Sequence, residues 1–231
     1  MMNIRHEVIP FVGIVVVVGA CMGFLLNAII AGVAFIVLGT ACLIYFFRDP
    51  NRTPPPDIAA ILSGADGRVM SIMQLPENTY LNVDCVRISV FLSIFNVHVN
   101  RSPLSGQAKF IGYFPGKKVF AFREKASEVN QHNKILIEGA GTRCLIAQIV
   151  GPVARRVVYW LNHDTPVSVK AGDRIGMMKF GSRLDIYLPA AEVTVLAESG
   201  DRVRAGETVI ARIKSVESEG AKMNQKNTGE V

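Results

Sequence analysis

The stretch Lys179-Phe180-Gly181-Ser182-Arg183-Leu184-Asp185 governs the reading of this chain. The apolar run Ile175-Gly176-Met177-Met178 leads into it, and Leu184, Ile186, Tyr187 and Leu188 follow. Apolar flanks on both sides of a Gly-Ser pair predict two strands meeting at Gly181-Ser182. Gly181 has no side chain to shield its carbonyl. The Ser182 hydroxyl can therefore attack it, an internal form of acyl transfer. The competing reading is an ordinary turn, where most Gly-Ser pairs occur.

Upstream, composition divides the chain. Of its 231 residues 50% are hydrophobic, and the excess is local: Ile9 to Phe47 holds no charged side chain. One continuous helix over that run would measure roughly 58 Å, far beyond a bilayer core of about 30 Å. Divided near Asn27, it gives two spans of bilayer length, with Gly23, Asn27 or Gly32 helping the chain reverse. Arg5 precedes the run, and Arg48 and Arg52 follow it. A hairpin puts both basic flanks on one side, which positive-inside bias makes the cytoplasm. The expected location is the cell (inner) membrane, with the rest of the chain on its cytoplasmic side. A cleaved signal peptide would need a shorter apolar region and a small-residue cleavage site.

Cys21 and Cys42 lie in the apolar run, and Cys85 and Cys144 stand singly in strand-like segments. Without a CxxC pair no metal or redox site is expected, and a reducing compartment fits. The net charge of +6 suits an anionic membrane surface once an anchor is present, and no nucleic acid partner is expected.

The expected fold class is mainly β within an α+β frame: an N-terminal transmembrane helical hairpin, then a β-rich domain with barrel-sandwich-like hairpins. Residues 1–47 form the anchor and 48–58, with Pro50 and Pro54-Pro55-Pro56, a stiff connector. Residues 59–214 form the β-rich catalytic domain, from short Val-, Ile- and Phe-rich runs broken by Gly, Pro and Asn. Residues 215–231 are polar and read as a disordered tail. Ala154-Arg155-Arg156-Val157 reads as a short turn or helix. One internal echo stands out: Val169-Lys170-Ala171-Gly172-Asp173 and Val203-Arg204-Ala205-Gly206-Glu207 share a pattern. Two copies alone do not define a repeat architecture.

Histidine is scarce. His6 borders the membrane run, and His132 and His163 sit in polar, turn-like stretches. His98 stands where the apolar run Phe91 to Val97 gives way to Val99-Asn100-Arg101-Ser102-Pro103. An imidazole there can act as a general base, although a structural histidine bonded to backbone is the commoner case. Asp66, in Ala65-Asp66-Gly67-Arg68-Val69, is first a turn signal. It becomes the residue that orients an imidazole only if the two meet in space, and Asp185 is a rival for that part. Lys179, after Met178, is a candidate carrier lysine. Arg101, Arg155, Arg156, Lys117 and Lys118 are candidate anion ligands, though isolated basic residues more often only face solvent.

These pieces together resemble the short, membrane-anchored, pyruvoyl-dependent phosphatidylserine decarboxylases. The resemblance covers most of residues 44–213. It rests on Phe46-Phe47-Arg48-Asp49-Pro50, Ala65-Asp66-Gly67-Arg68-Val69, Asn96-Val97-His98-Val99-Asn100-Arg101-Ser102-Pro103, Tyr113-Phe114-Pro115-Gly116, Val153-Ala154-Arg155-Arg156 and Phe180-Gly181-Ser182-Arg183, in that order. It implies self-cleavage between Gly181 and Ser182, leaving a pyruvoyl cofactor at residue 182. His98 would take the serine proton and Asp66 would hold the imidazole. The new ketone would form a Schiff base with the substrate amine and act as an electron sink. The implied partners are phosphatidylserine in the bilayer and the two self-cleavage chains, 1–181 and 182–231, with each other; a homo-oligomer is left open. Tyr113, Phe114 and Lys117 are candidates for touching lipid, and Arg101, Arg155 and Arg156 for the phosphate. The chief alternative is a membrane-tethered biotinyl- or lipoyl-like carrier modified at Lys179. A structural adaptor and a soluble amino-acid decarboxylase are further rivals, the last having no use for an anchor.

Overall fold

In the computed structural model, which describes residues 2–117, 129–151, 157–179 and 182–214, the charge-free run folds as a helical hairpin. Helices α1 (Ile9–Leu25) and α2 (Ile29–Phe46) are long and apolar enough to cross a membrane. The reversal falls at Leu26-Asn27-Ala28, where Asn27 adopts φ +49°. Asparagine tolerates that left-handed backbone better than most residues. The helices meet on a seam of glycine: a Cβ on Gly32 would lie 2.5 Å from the Gly19 carbonyl oxygen and 2.9 Å from Gly23 Cα. In lipid such close backbone approach replaces the hydrophobic drive that holds helices together in water.

The connector does not leave the hairpin as free chain. Strand β1 (Met2–Ile4), ahead of α1, pairs antiparallel with β2 (Arg48–Pro50), directly after α2. This ribbon ties the two ends of the hairpin together. Below it Val8, Phe46 and Phe47 pack on Met177, so the anchor's base is built into the β-rich domain.

That domain contains β3 (Ala60–Leu62), β4 (Gly67–Glu77), β5 (Val83–Leu92), β6 (Val99–Arg101), β7 (Gly106–Phe114), β8 (His132–Glu138) and β9 (Arg143–Val150). It continues with β10 (Val157–Tyr159), β11 (Val167–Val169), β12 (Arg174–Met178), β13 (Ser182–Pro189), β14 (Val193–Val195), β15 (Arg202–Val203) and β16 (Val209–Ile213). The main sheet has the order β11-β7-β8-β9-β13-β5-β4-β15; β10-β12-β6 and β14-β16-β3 form two smaller sheets. Side chains alternate across a strand, so Leu184, Ile186 and Leu188 of β13 enter one core with Val86, Ile88 and Val90 of β5.

The strands flanking Gly181-Ser182 belong to different sheets. β12 pairs with β6 and β10, whereas β13 pairs with β5 and β9. The link is thus a crossing between sheets and not a hairpin turn, because both strands already have two neighbours each.

The internal echo has a structural counterpart. Gly172 and Gly206 both adopt left-handed φ, +86° and +73°. They face each other, since a Cβ on Gly206 would lie 3.1 Å from Gly172 Cα. The Gly172 amide donates to the Ser102 carbonyl and the Gly206 amide to the Ser63 carbonyl. The two units therefore hold equivalent turns, one before Asp66 and one after His98. The segments read as a short helix at 154–157 and as a disordered tail at 215–231 lie, save Val157, outside the described residues.

Gly32→Val should lower the thermal midpoint of the micelle-solubilised protein by several degrees. Gly13→Val, where an added Cβ meets nothing within 4 Å, should leave the midpoint unchanged. Equal midpoints for both variants would remove the glycine seam from the account.

Candidate active site

Ser182 opens the central strand β13, opposite Leu92 on one side and Val150 on the other. Its side chain is fully buried, and its Oγ has no hydrogen-bond partner among the described residues. Native interiors rarely leave a polar atom in that state without a reason. His98 is in the same condition. It is fully buried, its Nδ1 donates to the Asn96 carbonyl at 2.9 Å, and its Nε2 is unpaired. A bond to a carbonyl requires the proton on Nδ1, which leaves Nε2 as a bare acceptor. Burial pushes the imidazole pKa down from 6.5 to about 4, with the Asn96 bond opposing and Arg48 adding to the shift. At neutral pH the ring is an uncharged base.

Two connections bring these two residues into the same region of the domain. Leu92, beside Ser182, leads through the loop Ser93-Ile94-Phe95-Asn96 to His98. Met178, whose amide donates to the His98 carbonyl at 3.1 Å, leads through the Gly181-Ser182 link to Ser182. Both connections share both ends, and the second spans at most roughly 14 Å. A further bond joins the same faces. Gln148, on the Ser182 face of β9, donates through Nε2 to Asn100 Oδ1 at 2.8 Å, and Asn100 lies two residues from His98 in extended chain. Asn100 Nδ2 and Gln148 Oε1 are themselves buried without partners. Ser182, His98, Asn100 and Gln148 each therefore contribute a buried polar atom without a partner among the described residues.

Asp66 stands on the turn into β4, but its hydrogen bonds do not run to His98. Its carboxylate accepts Arg52 at 2.8 Å and the Ala205 amide at 2.8 Å. Desolvation pushes its pKa up, against the Ala205 bond and the Arg52 charge. The elements are nonetheless adjacent, since the Arg101 amide donates to the Gly64 carbonyl. Asp185 is excluded as the rival: three residues from Ser182, it projects from the opposite face of β13. There Arg183 Nε donates to it at 2.6 Å in full burial.

Arg101 is spent on structure. Its guanidinium donates to the Gly172 carbonyl at 2.8 Å, the Pro50 carbonyl at 2.9 Å and Asp49 at 3.2 Å. Phe114 stacks on His132, on the sheet face away from Ser182, and Tyr113 is half exposed three strands from β13. Lys117 bridges to Asn130 beyond the end of β7. None of these is brought to Ser182. Arg155, Arg156, Lys118 and Gly181 lie outside the described residues. Lys179 Nζ sits over the Phe11 and Phe47 rings, 5.5 and 5.9 Å from their centres, against the anchor and not on a presented tip.

A basic cleft that the sequence did not reveal completes the site. A cleft of about 550 Å³ is lined by Arg68, Arg202 and Arg204 with Asp66, Ser93 and Asn96. It opens beside the loop that carries the His98 acceptor. Of its three arginines, Arg204 lay in the internal echo and Arg68 in the Ala65-Asp66-Gly67-Arg68-Val69 motif, while Arg202 had no sequence signal.

Fold and site together define a protein with a membrane-type helical hairpin, a β-rich domain and a buried serine–histidine centre at a crossing between sheets. The chain belongs to the phosphatidylserine decarboxylase family, whose model matches residues 40–211. It is 43% identical over 202 residues to the phosphatidylserine decarboxylase proenzyme of Carboxydothermus hydrogenoformans, covering 87% of this chain and 91% of that one. It is 45% identical over 183 residues to the proenzyme of Salinibacter ruber, covering 78% and 79%. For the proenzyme of Symbiobacterium thermophilum the identity is 38% over 214 residues, covering 91% and 95%.

The buried imidazole makes stability depend on pH. The unfolded ring protonates near 6.5 and the folded ring near 4, so the unfolded state binds more protons between those values. Stability is full above that window and is lost as pH falls through it, by roughly 3 kcal/mol for this group. His98→Gln should flatten that part of the pH–stability curve in denaturant titrations, and parallel curves for both proteins would contradict the buried neutral ring.

Proposed function

We propose that this chain decarboxylates phosphatidylserine to phosphatidylethanolamine at the cytoplasmic face of the inner membrane, with a pyruvoyl group made from its own Ser182. The observation that carries this is the pair of unpaired buried atoms, Ser182 Oγ and His98 Nε2, at the ends of two connections that share both anchor points. The proton on Ser182 Oγ passes to His98 Nε2 as Oγ attacks the Gly181 carbonyl carbon. Asn100 Nδ2, otherwise unpaired, is the donor available to the developing oxyanion. His98 passes that proton to the Ser182 nitrogen as the Gly181–Ser182 C–N bond breaks, giving an ester and a free amine. Removal of the Ser182 Cα proton then expels the Gly181 carboxylate and leaves dehydroalanine. Water replaces its nitrogen, releasing ammonia.

The residues around Ser182 fit such a group, since its position is buried, lined by unpaired polar atoms and walled by Leu92 and Val150. When formed, the pyruvoyl group supplies an electron sink for loss of carbon dioxide. The chain's own residues do the rest. His98 holds and returns a proton at Nε2, and Arg68, Arg202 and Arg204 meet the substrate's anionic groups. Asp66 acts at one remove, by ordering Arg52 and the Ala205 turn beside the cleft. The two chains stay together because residue 182 onward supplies the central strand, laddered to β5 and β9 along its length. Arg5, Arg48 and Arg52 lie at the anchor's base, which supports the cytoplasmic orientation and contact with an anionic surface. The carrier reading of Lys179 is disfavoured by its place against Phe11 and Phe47.

Ser182→Ala should remain a single chain and release no carbon dioxide from phosphatidylserine vesicles. Borohydride should abolish the activity of the processed protein while leaving its fold intact. Processing that persists in Ser182→Ala, or activity indifferent to borohydride, would refute the assignment.

A further inference from the structure

The C-terminal half of α2 and the loop between β5 and β6 line a second cavity, an open groove of about 640 Å³. Its walls include Leu38, Cys42, Tyr45, Phe46, Ile94 and Phe95. Water gains little from such a lining, and an apolar occupant gains much. Ile94 and Phe95 are 54% and 68% exposed. Two bulky apolar side chains on a loop tip are costly in water and favourable at a lipid interface.

The loop is held at that height. Arg48 donates to the Phe95 carbonyl at 2.7 Å and to the Tyr45 carbonyl at 2.6 Å, and the Tyr45 hydroxyl reaches the Phe95 carbonyl at 3.4 Å. The Arg48 guanidinium also lies over the Tyr45 ring, 3.8 Å from its centre. An arginine and a tyrosine at the end of a membrane-length helix mark the headgroup level. The loop therefore has hydrocarbon on one side and polar headgroups on the other.

Its two sides lead to the same imidazole. On the apolar side Phe46 forms the inner end of the groove, and its ring packs on the His98 ring with centres 4.3 Å apart. On the other side Asn96, whose carbonyl accepts His98 Nδ1, lines the arginine cleft. A molecule with an apolar tail and an anionic head matches both compartments at once, with its reacting group beside His98 Nε2.

We infer that this groove seats one acyl chain of the phospholipid substrate, drawn sideways from the bilayer along α2. The identity of the lipid rests on the decarboxylase reading above; the groove's use of an acyl chain does not. Three things favour a lipid chain as occupant. The groove runs along a helix of membrane length, it ends on the base that the headgroup must reach, and the charge beyond the loop is complementary to a phosphate. A helix from a second copy would use the first of these but neither of the others.

The test uses full-length Ser182→Ala in vesicles of phosphatidylcholine containing phosphatidylserine with a photoreactive diazirine on its acyl chain. Labelling should concentrate on peptides holding Cys42 and Phe95. Cys42→Trp, which fills the groove from an exposed position, should lower labelling at Phe95 by about tenfold, and Val37→Trp, outside the lining, should not. A second readout uses processed protein: Cys42→Trp should lower kcat/KM for dioleoyl phosphatidylserine more than for the dibutyroyl form. Phe95→Ser should shift that ratio the same way. Label spread evenly over both helices and indifferent to Cys42→Trp would overturn the inference, as would cross-links to a second copy at Cys42. Concentrated label without decarboxylation by the wild type would support the groove and refute the decarboxylase reading instead.

Discussion

Asp49 pairs with three arginines in the interior of the protein, two of them by hydrogen bonds. Arg174 reaches it at 2.7 Å, Arg5 at 2.9 Å and Arg101 at 3.2 Å, while the carboxylate itself is 1% exposed. A buried carboxylate without partners would be prohibitively costly, and removing one side of such a cluster leaves charges stranded. The three arginines come from the segment before α1, from β6 and from β12. One side chain therefore clasps the base of the helical hairpin, the strand just past His98 and the strand that leads to Gly181-Ser182. The rest of the site depends on that clasp, because it fixes the two connections whose ends hold the serine and the imidazole.

Burial does the chemical work that charge usually does. Among the described residues no carboxylate is hydrogen-bonded to His98, and a backbone carbonyl sets its tautomer. Desolvation, with the Arg48 charge adding to it, keeps the ring neutral, so it stands ready as a base. The anchor shares in this, since Phe46 at the end of α2 lies against the imidazole. The helical hairpin and the state of the base are thus coupled through one aromatic contact.

Much of this was legible in the sequence, for physical reasons. A run with no charge and twice the bilayer length has few options, and its reversal at Asn27 follows from length and backbone tolerance. Short β-branched runs between turn residues read directly as strands. The echo at Gly172 and Gly206 needed only the left-handed turn that each glycine permits. What stayed hidden was non-local. The Asp49 cluster joins residues 52 and 125 positions apart, and no local pattern records such pairs. Arg101 looked like a ligand for phosphate because its partner Asp49 is invisible from its own neighbourhood. Asp66 looked like the imidazole's carboxylate, yet its bonds go to Arg52 and Ala205. The crossing between sheets at Gly181-Ser182 resembled a turn because sheet membership is set by neighbours elsewhere in the chain.

The central claim is that the polypeptide breaks itself before Ser182 and keeps both pieces. Intact mass spectrometry of the purified protein tests it most directly. The account predicts a longer piece ending at Gly181, and a shorter one whose mass carries a pyruvoyl group in place of the N-terminal serine. A single unbroken polypeptide that still forms phosphatidylethanolamine from phosphatidylserine would contradict it.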